Sequence, residues 1–383
     1  MAGKLTIQDI ARLAGVSKAT VSRVLNHKPD VDPTTRERIL RIMEEQGFVP
    51  SITAAGLAGG RPRIIGVLVP SLIWPFIPEI VQGVAEYVER SSYELILYSL
   101  SYASHLYANE ANGNGNGNGK VVGDRSAAVD RILDARLTAG LVAITPGPSA
   151  RHLTQLHDQG FPVVLIDDQG LPTSAPWVGA DNRMGAYQAV CHLISLGHRR
   201  IAHIKGPASY QCSQERYQGY CQALTEAGLN PDPTLVVQGD FEEASGHAAA
   251  HMIFSRAERP TAIFAANDHM AWGVLEVAEN LGLRVPEDVA LVGFDDMGTS
   301  AHKRPPLTTV SQPFHQMGQR AAELLLGLLE SPRHIPLYSG ATSFLKSSFL
   351  PSAYNEPMRI LLETKLVVRE SCGAHQMTPL PKL

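Results

Sequence analysis

Near the N-terminus, five side chains combine types and spacing suited to contact with a polyanionic duplex. Ser17 caps a short helix, and Lys18, Ala19, Ser22 and Arg23 fall on the outward face at its start while Val21, Val24 and Leu25 point the other way. Arg23 carries the paired donors that read guanine, Lys18 serves a base or a phosphate, and Ala19 suits a thymine methyl. The hydroxyls of Ser17 and Thr6, beside helix N-terminal amides, suit phosphate oxygens. The same pattern also fits an ordinary helical hairpin with an exposed basic turn.

A second set of polar and aromatic residues lies after apolar runs of strand length: Trp74, Phe76, Asp167, Arg216, Phe241, Asn267 and Asp295. Aromatic rings of this kind stack on the apolar face of a small ligand. Acid, amide and guanidinium groups together hydrogen-bond several ligand hydroxyls, and any group left unpaired penalises a wrong ligand. Each residue also has a local reading. Asn267 or Asp268 can cap the following helix, and Trp74 can fill core.

Catalytic and cofactor chemistry finds little footing. The residues after the first strand read PSLIWPF, with no glycine-rich turn through which a backbone could approach a dinucleotide phosphate. Lys120 is followed by Val121, without the Ser or Thr that a phosphate loop uses for magnesium. No Ser/His/Asp order and no metal-ligand spacing emerges, and His198 and His203, flanking a strand, read as structural. Cysteines 191, 212, 221 and 372 form no CxxC pair and no dense framework, so neither a structural zinc nor a disulfide scaffold is expected. The expectation is no enzyme, no cofactor and no metal.

The elements that must position these groups follow from pattern. Thr6 caps a helix from Ile7 to Ala14, with Asp9 as the capping-box acid. Gly15 and Val16 break the chain, and Ser17 opens a second helix to Leu25. Asp32 and Pro33 start a third helix that buries Ile39, Ile42 and Met43 and stops near Gly47. Two short helices joined by a tight glycine turn can place the second in a major groove about 12 Å wide. From Arg63 onward, apolar runs at 64–69, 95–98, 141–144, 163–166, 201–204, 235–237, 262–265 and 289–292 alternate with helical stretches, the first of which carries Ile77, Ile80, Val81, Val84 and Val88 on one face. That alternation implies parallel sheets covered by helices, in two doubly wound halves that bind ligands beyond the carboxyl ends of their strands.

Charge and composition agree. The 383 residues, 44% hydrophobic and 18% charged with a net charge of −4, suffice for about two domains with sizeable cores. Residues 1–63 hold ten Lys or Arg against six Asp or Glu, and the other 320 hold 23 against 31. A basic head on an acidic body suggests that the head alone meets a polyanion. No run approaches the apolar length of a membrane span, and the N-terminus lacks the apolar core of a signal peptide. The expected compartment is therefore the cytoplasm, without membrane contact. Asn112–Gly119 repeats Asn-Gly four times inside an unpatterned stretch from Tyr102 to Asp124, which reads as an inserted loop.

The segment TIQDIARLAGVSKATVSRVLN at 6–26 resembles the DNA-binding head of the LacI/GalR family of bacterial transcriptional regulators, and the similarity continues through TRERILRIMEEQGFVP and along the body. The resemblance implies an all-α helix-turn-helix head, residues 1–49, and a hinge helix or linker at 50–63. It implies an α/β periplasmic-binding-protein-like body of two doubly wound parallel-sheet lobes at 64–370, followed by a tail at 371–383. It places Lys18, Ala19 and Arg23 where the family reads bases, and Leu57, with Ala54 before it, where a hinge leucine wedges into the minor groove. Ala55, Gly56 and Ser51 depart from the family pattern there. GPASYQCSQERYQGY, AANDHMAWG and VGFDD resemble the segments carrying Arg216, Asn267 and Asp295, and PPLTTVSQ resembles the crossover ending at Gln312. The resemblance implies a homodimer on double-stranded operator DNA, acting as a repressor under a small-molecule effector, with a carbohydrate the leading class. Residues 331–357 look longer than the family needs, and the tail carries no leucine heptads. Two other classes fit the body: an enzyme on the same sheets, and a sugar-binding transport receptor. The receptor would need a secretion signal and has no use for a basic head.

Overall fold

The computed structural model describes residues 5–25, 29–48, 62–99, 138–144, 150–167, 174–330 and 358–374. These divide into two compact units: the residues before Ile64 together with 138–139, and the remainder. The hinge positions Ala54 and Leu57, the Asn-Gly repeat and the tail beyond Ala374 lie outside the described residues.

In the first unit, α1 (Ile7–Ala14), α2 (Lys18–Leu25) and α3 (Pro33–Glu45) start and stop where local chemistry dictates. Thr6 accepts from the Asp9 amide while the Asp9 carboxylate accepts from the Thr6 amide at 3.0 Å and its hydroxyl at 2.7 Å, a complete capping box. Gly15 ends α1 with φ +63°, a left-handed conformation that disfavours any side chain. Ser17 Oγ accepts from the Thr20 amide at 3.1 Å, and Asp32 from the Thr35 amide at 2.9 Å with Pro33 in the first turn. Ile10, Ala11, Ala14, Val21, Val24, Val31, Ile39 and Met43 close a small core; Ile7, Leu25 and Ile42 are only half-buried against it.

The second unit holds two parallel sheets. The first is ordered β11-β5-β4-β3-β1-β2 and comprises β1 (Ile64–Val69), β2 (Glu94–Ser99), β3 (Gly140–Ile144), β4 (Val163–Ile166), β5 (Trp177–Ala180) and β11 (Arg359–Leu362). The second is ordered β7-β6-β8-β9, with β6 (Ile201–Lys205), β7 (Val236–Gln238), β8 (Ala262–Ala265) and β9 (Ala290–Val292). Every pairing within these two sheets is parallel. Side chains alternate across the second sheet. Ile201, Ala262 and Phe264 pack with α6 (Asn182–Ser195) and α7 (Gln211–Glu226), whereas Ala202, Ile204, Ile263 and Ala265 pack with α8 (Glu243–Phe254) and α9 (Asp268–Asn280). Helices thus cover both faces, and nearly unbroken apolar strands result.

On the first sheet, α4 (Ile77–Val88) and α10 (Phe314–Glu330) lie together, with α5 (Ala150–Asp158) against β4. The chain passes between sheets three times: from β5 into α6, from β10 (Thr309–Ser311) into α10, and from β11 to β12 (Lys365–Val367). That third passage produces the exception to the expected all-parallel lobes, because β12 pairs with β10 antiparallel. Two further expectations are corrected. Leu235 belongs to a 3₁₀ turn over Pro233–Leu235, so the strand begins at Val236. His203 does not flank β6 but sits inside it, fully buried, its Nδ1 2.9 Å from the Phe264 carbonyl oxygen. Among the described residues no helix is long and apolar enough to cross a membrane.

The α4–α10 contact is backbone against backbone. A Cβ on Gly83 would lie 2.0 Å from the His315 carbonyl oxygen, so the two helices approach closely only where no side chain intervenes. Gly327 on α10 faces nothing within 4 Å. Gly83→Ala is therefore expected to lower stability by about 1–3 kcal/mol through overpacking, while Gly327→Ala leaves it unchanged or raises it by up to about 1 kcal/mol through helix propensity. Urea midpoints of the two variants check this; equal midpoints would contradict the close approach.

Candidate DNA interface and ligand cleft

Lys18, Ala19 and Arg23 are exposed on α2, Ser22 is half-buried, and Thr6 and Ser17 are exposed at the starts of α1 and α2. The Arg23 guanidinium, 59% exposed, lies 3.6 Å from Asp30. A solvated pair of that kind contributes little energy, so the guanidinium exchanges Asp30 for another partner at small cost. Thr6 and Ser17 double as caps, which aims their hydroxyls at helix N-termini where anions are favoured.

In the second unit the polar residues gather at the carboxyl ends of strands. Asp167 follows β4, Phe241 follows β7 and Asp295 follows β9, and all three adopt positive φ, at 54°, 74° and 108°. Left-handed backbone at a non-glycine residue costs of order 1–3 kcal/mol and concentrates at binding sites. Arg216, on α7 and 4% exposed, is the hub. Its Nε donates to Asn182 Oδ1 at 3.0 Å, and its Nη1 donates to the Ala266 carbonyl oxygen at 2.5 Å and lies 3.3 Å from Asp295 Oδ1. The guanidinium sits 3.8 Å from the centroid of the Phe294 ring and 5.9 Å from that of Phe241. Gln312, arriving from the crossover after β10, donates to Asp295 Oδ1 at 2.7 Å.

Burial pushes the Asp295 carboxyl above its ordinary range, against the pull of Arg216 and Gln312. Next to it, Asp268 is fully buried and is driven up to about 7 by burial and by the Asp295 charge. Asp268 accepts from the Met297 amide at 2.9 Å and the hydroxyls of Ser300 and Thr309 at 2.6 and 2.5 Å, and so ties α9 to the segment returning from β9.

Asn267 plays a local part as well. Its Oδ1 caps α9 through the Met270 amide, and its Nδ2 donates to the Phe241 carbonyl oxygen at 2.8 Å, which holds that strained residue in place. Trp74 and Phe76 form a second, aromatic group with rings 5.7 Å apart, Phe76 stacking on Phe314 at 5.3 Å. Gln312 accepts from the Phe314 amide at 2.9 Å, so the two groups meet along one crossover.

Four residues of this neighbourhood escaped sequence reasoning. Asn182 follows β5, which was not recognised as a strand. Cys212 sits one helical turn before Arg216, a spacing that offered the signal; burial drives its thiol up to about 12, with Asp167, Asp295 and Glu215 adding to the effect against Arg216. Phe294 and Tyr210 supply ring faces, Tyr210 meeting Phe241 edge-on at 5.8 Å.

Known proteins resemble this chain in sequence and fold. Residues 6–51 match the family described as "Bacterial regulatory proteins, lacI family", and residues 190–337 match the "Periplasmic binding protein-like domain". The HTH-type transcriptional regulator CelR of Thermobifida fusca is 35% identical over 376 residues, covering 96% of this chain and 98% of that protein. The chain belongs to the LacI family of bacterial transcriptional regulators. Among solved structures, a transcriptional regulator CelR–cellobiose complex aligns at 34% identity with a TM-score of 0.63, over 96% of this chain and 99% of that one. The lac repressor dimer bound to operator and the anti-inducer ONPF aligns at 27% identity with a TM-score of 0.76, over 97% and 99%. This LacI-family chain is thus a DNA-binding transcriptional regulator with a ligand-binding body, and its relatives are regulators rather than enzymes.

The raised Asp268 has a consequence for stability. The folded chain keeps that proton through a range where an unfolded Asp, at about 4, has lost it. Stability is therefore expected to fall as pH rises from about 4 towards 7 and to level off above. Asp268→Asn, which cannot ionise, should flatten that slope in thermal melts across the same range. An unchanged slope would place the titration elsewhere.

Proposed function

We propose that this protein is a homodimeric operator-binding repressor whose affinity for DNA is set by a carbohydrate seated among Arg216, Asp295, Gln312, Asp167 and Asn267, with Trp74, Phe76 and Phe241 stacking on its apolar faces. The observation that carries this reading is the cluster at converging strand ends of buried Arg216 and Asn182 with half-buried Asp295 and Gln312, in the same chain as the helix-turn-helix head. Neighbouring donors and acceptors in one buried place suit vicinal hydroxyls. The cellobiose bound in one relative's structure, and the operator and ONPF bound to a dimer in another, favour the same assignment.

The head at 1–49 reads the half-site through Lys18, Ala19, Ser22 and Arg23, with Thr6 and Ser17 on phosphates. Residues 50–63, with Ala54 and Leu57, serve as the hinge that touches the minor groove. The body at 64–370, followed by the tail at 371–383, binds effector and dimerises. The protein works in the cytoplasm and binds its ligand without turning it over. Ligand acts by favouring one arrangement of the lobes, and a coupling of about 1–3 kcal/mol changes operator affinity about 5- to 150-fold.

Fluorescence anisotropy on operator DNA, titrated with cello-oligosaccharides, monosaccharides and nucleosides, tests the coupling. A ligand that occupies the cleft and leaves DNA binding unchanged would reject it. Arg216→Ala is expected to bind operator like the parent and to lose the ligand response; a response at parental ligand concentrations would displace Arg216 from the site. Arg23→Ala is expected to weaken specific binding by about 1–3 kcal/mol and to relax selection at one base pair. Equal losses on random DNA would reduce Arg23 to a phosphate contact.

A further inference from the structure

Away from the cleft, α8 and α9 cross on two glycines. A Cβ on Gly246 would lie 2.2 Å from the Met270 carbonyl oxygen, and one on Gly273 would lie 2.4 Å from the Glu243 carbonyl oxygen and 2.8 Å from the His247 ring. This close crossing brings together three side chains with ligating atoms. Glu243 and His247 are one helical turn apart on α8 and so share a face, and Glu276 follows Gly273 by three residues on α9. Their nearest donor atoms all lie within 4.8 Å of one another.

His247 Nε2 lies 2.8 Å from Glu276 Oε2, yet that contact lacks hydrogen-bond geometry, and the nitrogen is shielded from solvent with no hydrogen-bond partner. That shielded nitrogen belongs to a side chain 35% exposed and is paired with a Glu276 carboxylate 56% exposed, so its hydrogen-bonding demand is met by the ion pair alone. Two donors on one tetrahedral metal ion at about 2.0–2.2 Å from each sit about 3.3–3.6 Å apart, so His247 and Glu276, 2.8 Å apart as an ion pair, separate by about half an ångström on taking up the ion.

We propose that Glu243, His247 and Glu276 form a divalent transition-metal site that braces α8 to α9. One imidazole and two carboxylates suit a borderline cation such as zinc, cobalt or nickel better than magnesium or calcium, which prefer all-oxygen shells. Two carboxylates and a neutral imidazole carry the two negative charges that a divalent ion balances. Three protein ligands leave a coordination position for water. The site differs from the effector cleft in residues and in chemistry, and it stands whether or not the effector is a carbohydrate. Its mechanical effect falls on α9, whose cap Asn267 holds Phe241 and whose first residue Asp268 holds the Met297 amide.

Cobalt titration of the metal-free, full-length protein tests this, read by visible absorption and equilibrium dialysis. The expected result is one Co²⁺ per chain with weak d–d bands and no intense near-ultraviolet thiolate band, since none of the four cysteines takes part. His247→Gln and Glu276→Gln should each weaken binding about tenfold or more, with far-ultraviolet circular dichroism like that of the parent. Zinc should raise the Tm of the parent and leave that of both variants unmoved. The proposal is overturned by no saturable binding up to about millimolar cobalt, by a thiolate band, or by unchanged affinity in both variants.

Discussion

A guanidinium with almost no access to water must find its partners inside the protein, and that demand organises the body of this regulator. Arg216 is held by Asn182 at the end of β5, by the Ala266 carbonyl at the end of β8 and by Asp295 beyond β9, and Gln312 secures Asp295 from the end of β10. Four separate strand ends must therefore converge before one charge is satisfied. Leaving that charge unpaired would cost several kcal/mol, far more than a surface ion pair contributes. Two of the four ends, at Asn182 and Gln312, are also places where the chain leaves one sheet for the other. Whatever alters the partners of Arg216 thereby acts on the crossings.

The carboxylates nearby show the opposite side of the same physics. Asp268 is buried and Asp295 half-buried; burial raises both carboxyls, and the Asp295 charge makes ionisation of Asp268 harder still. Only Asp295 has the guanidinium. Asp268 has one amide and two hydroxyls, donors that stabilise a carboxylate less than a full positive charge does. The structure thus gives one raised carboxyl a cationic partner and leaves the other, raised to about 7, with an amide and two hydroxyls. The left-handed residues fit this picture. Asp167, Phe241 and Asp295 each turn sharply just past a strand, and Phe241 is held there by Asn267 and by Gly206, where a Cβ would lie 2.1 Å from the Phe241 ring. Packing thus fixes a backbone that local energetics disfavour.

How legible this was in the sequence depended on whether the deciding interaction was local. The head was readable almost residue by residue, because a capping box at Thr6 and Asp9, a glycine at 15 and an Asp-Pro at 32–33 act within one helical turn. The central strands were readable as well, since burial on both faces makes them continuous apolar runs. β5 was not: WVGA is four residues long, and its strand identity comes from pairing with β4 and β11. Asn182 was lost with it. β11 and β12 were hidden for the same reason, as both pair with partners far back in the chain. The strand-end residues could be located by pattern, but their grouping around Arg216 could not, because it depends on how two sheets are placed by three crossings. Asn267 illustrates the limit: its capping role was foreseeable from Asx chemistry, and its grip on Phe241 was not.

The ligand site proposed here, built this way, constrains what can enter it. Its polar groups already bind one another, so a newcomer gains affinity only by offering, in the right places, both the acceptors that Arg216 and Gln312 require and the donors that Asp295 requires. A ligand with a single charge meets one half of that demand and leaves the other buried and unpaired, at a cost of about 1–3 kcal/mol for each group. A ligand with neighbouring hydroxyls meets both halves, since each hydroxyl donates and accepts. On the proposed assignment, a ligand that takes over these bonds loosens the direct links between Asp295, Gln312 and Arg216. Those links join segments from different crossings, so the free energy of replacing them differs between arrangements of the body, and that difference is the quantity through which a bound ligand shifts a conformational equilibrium.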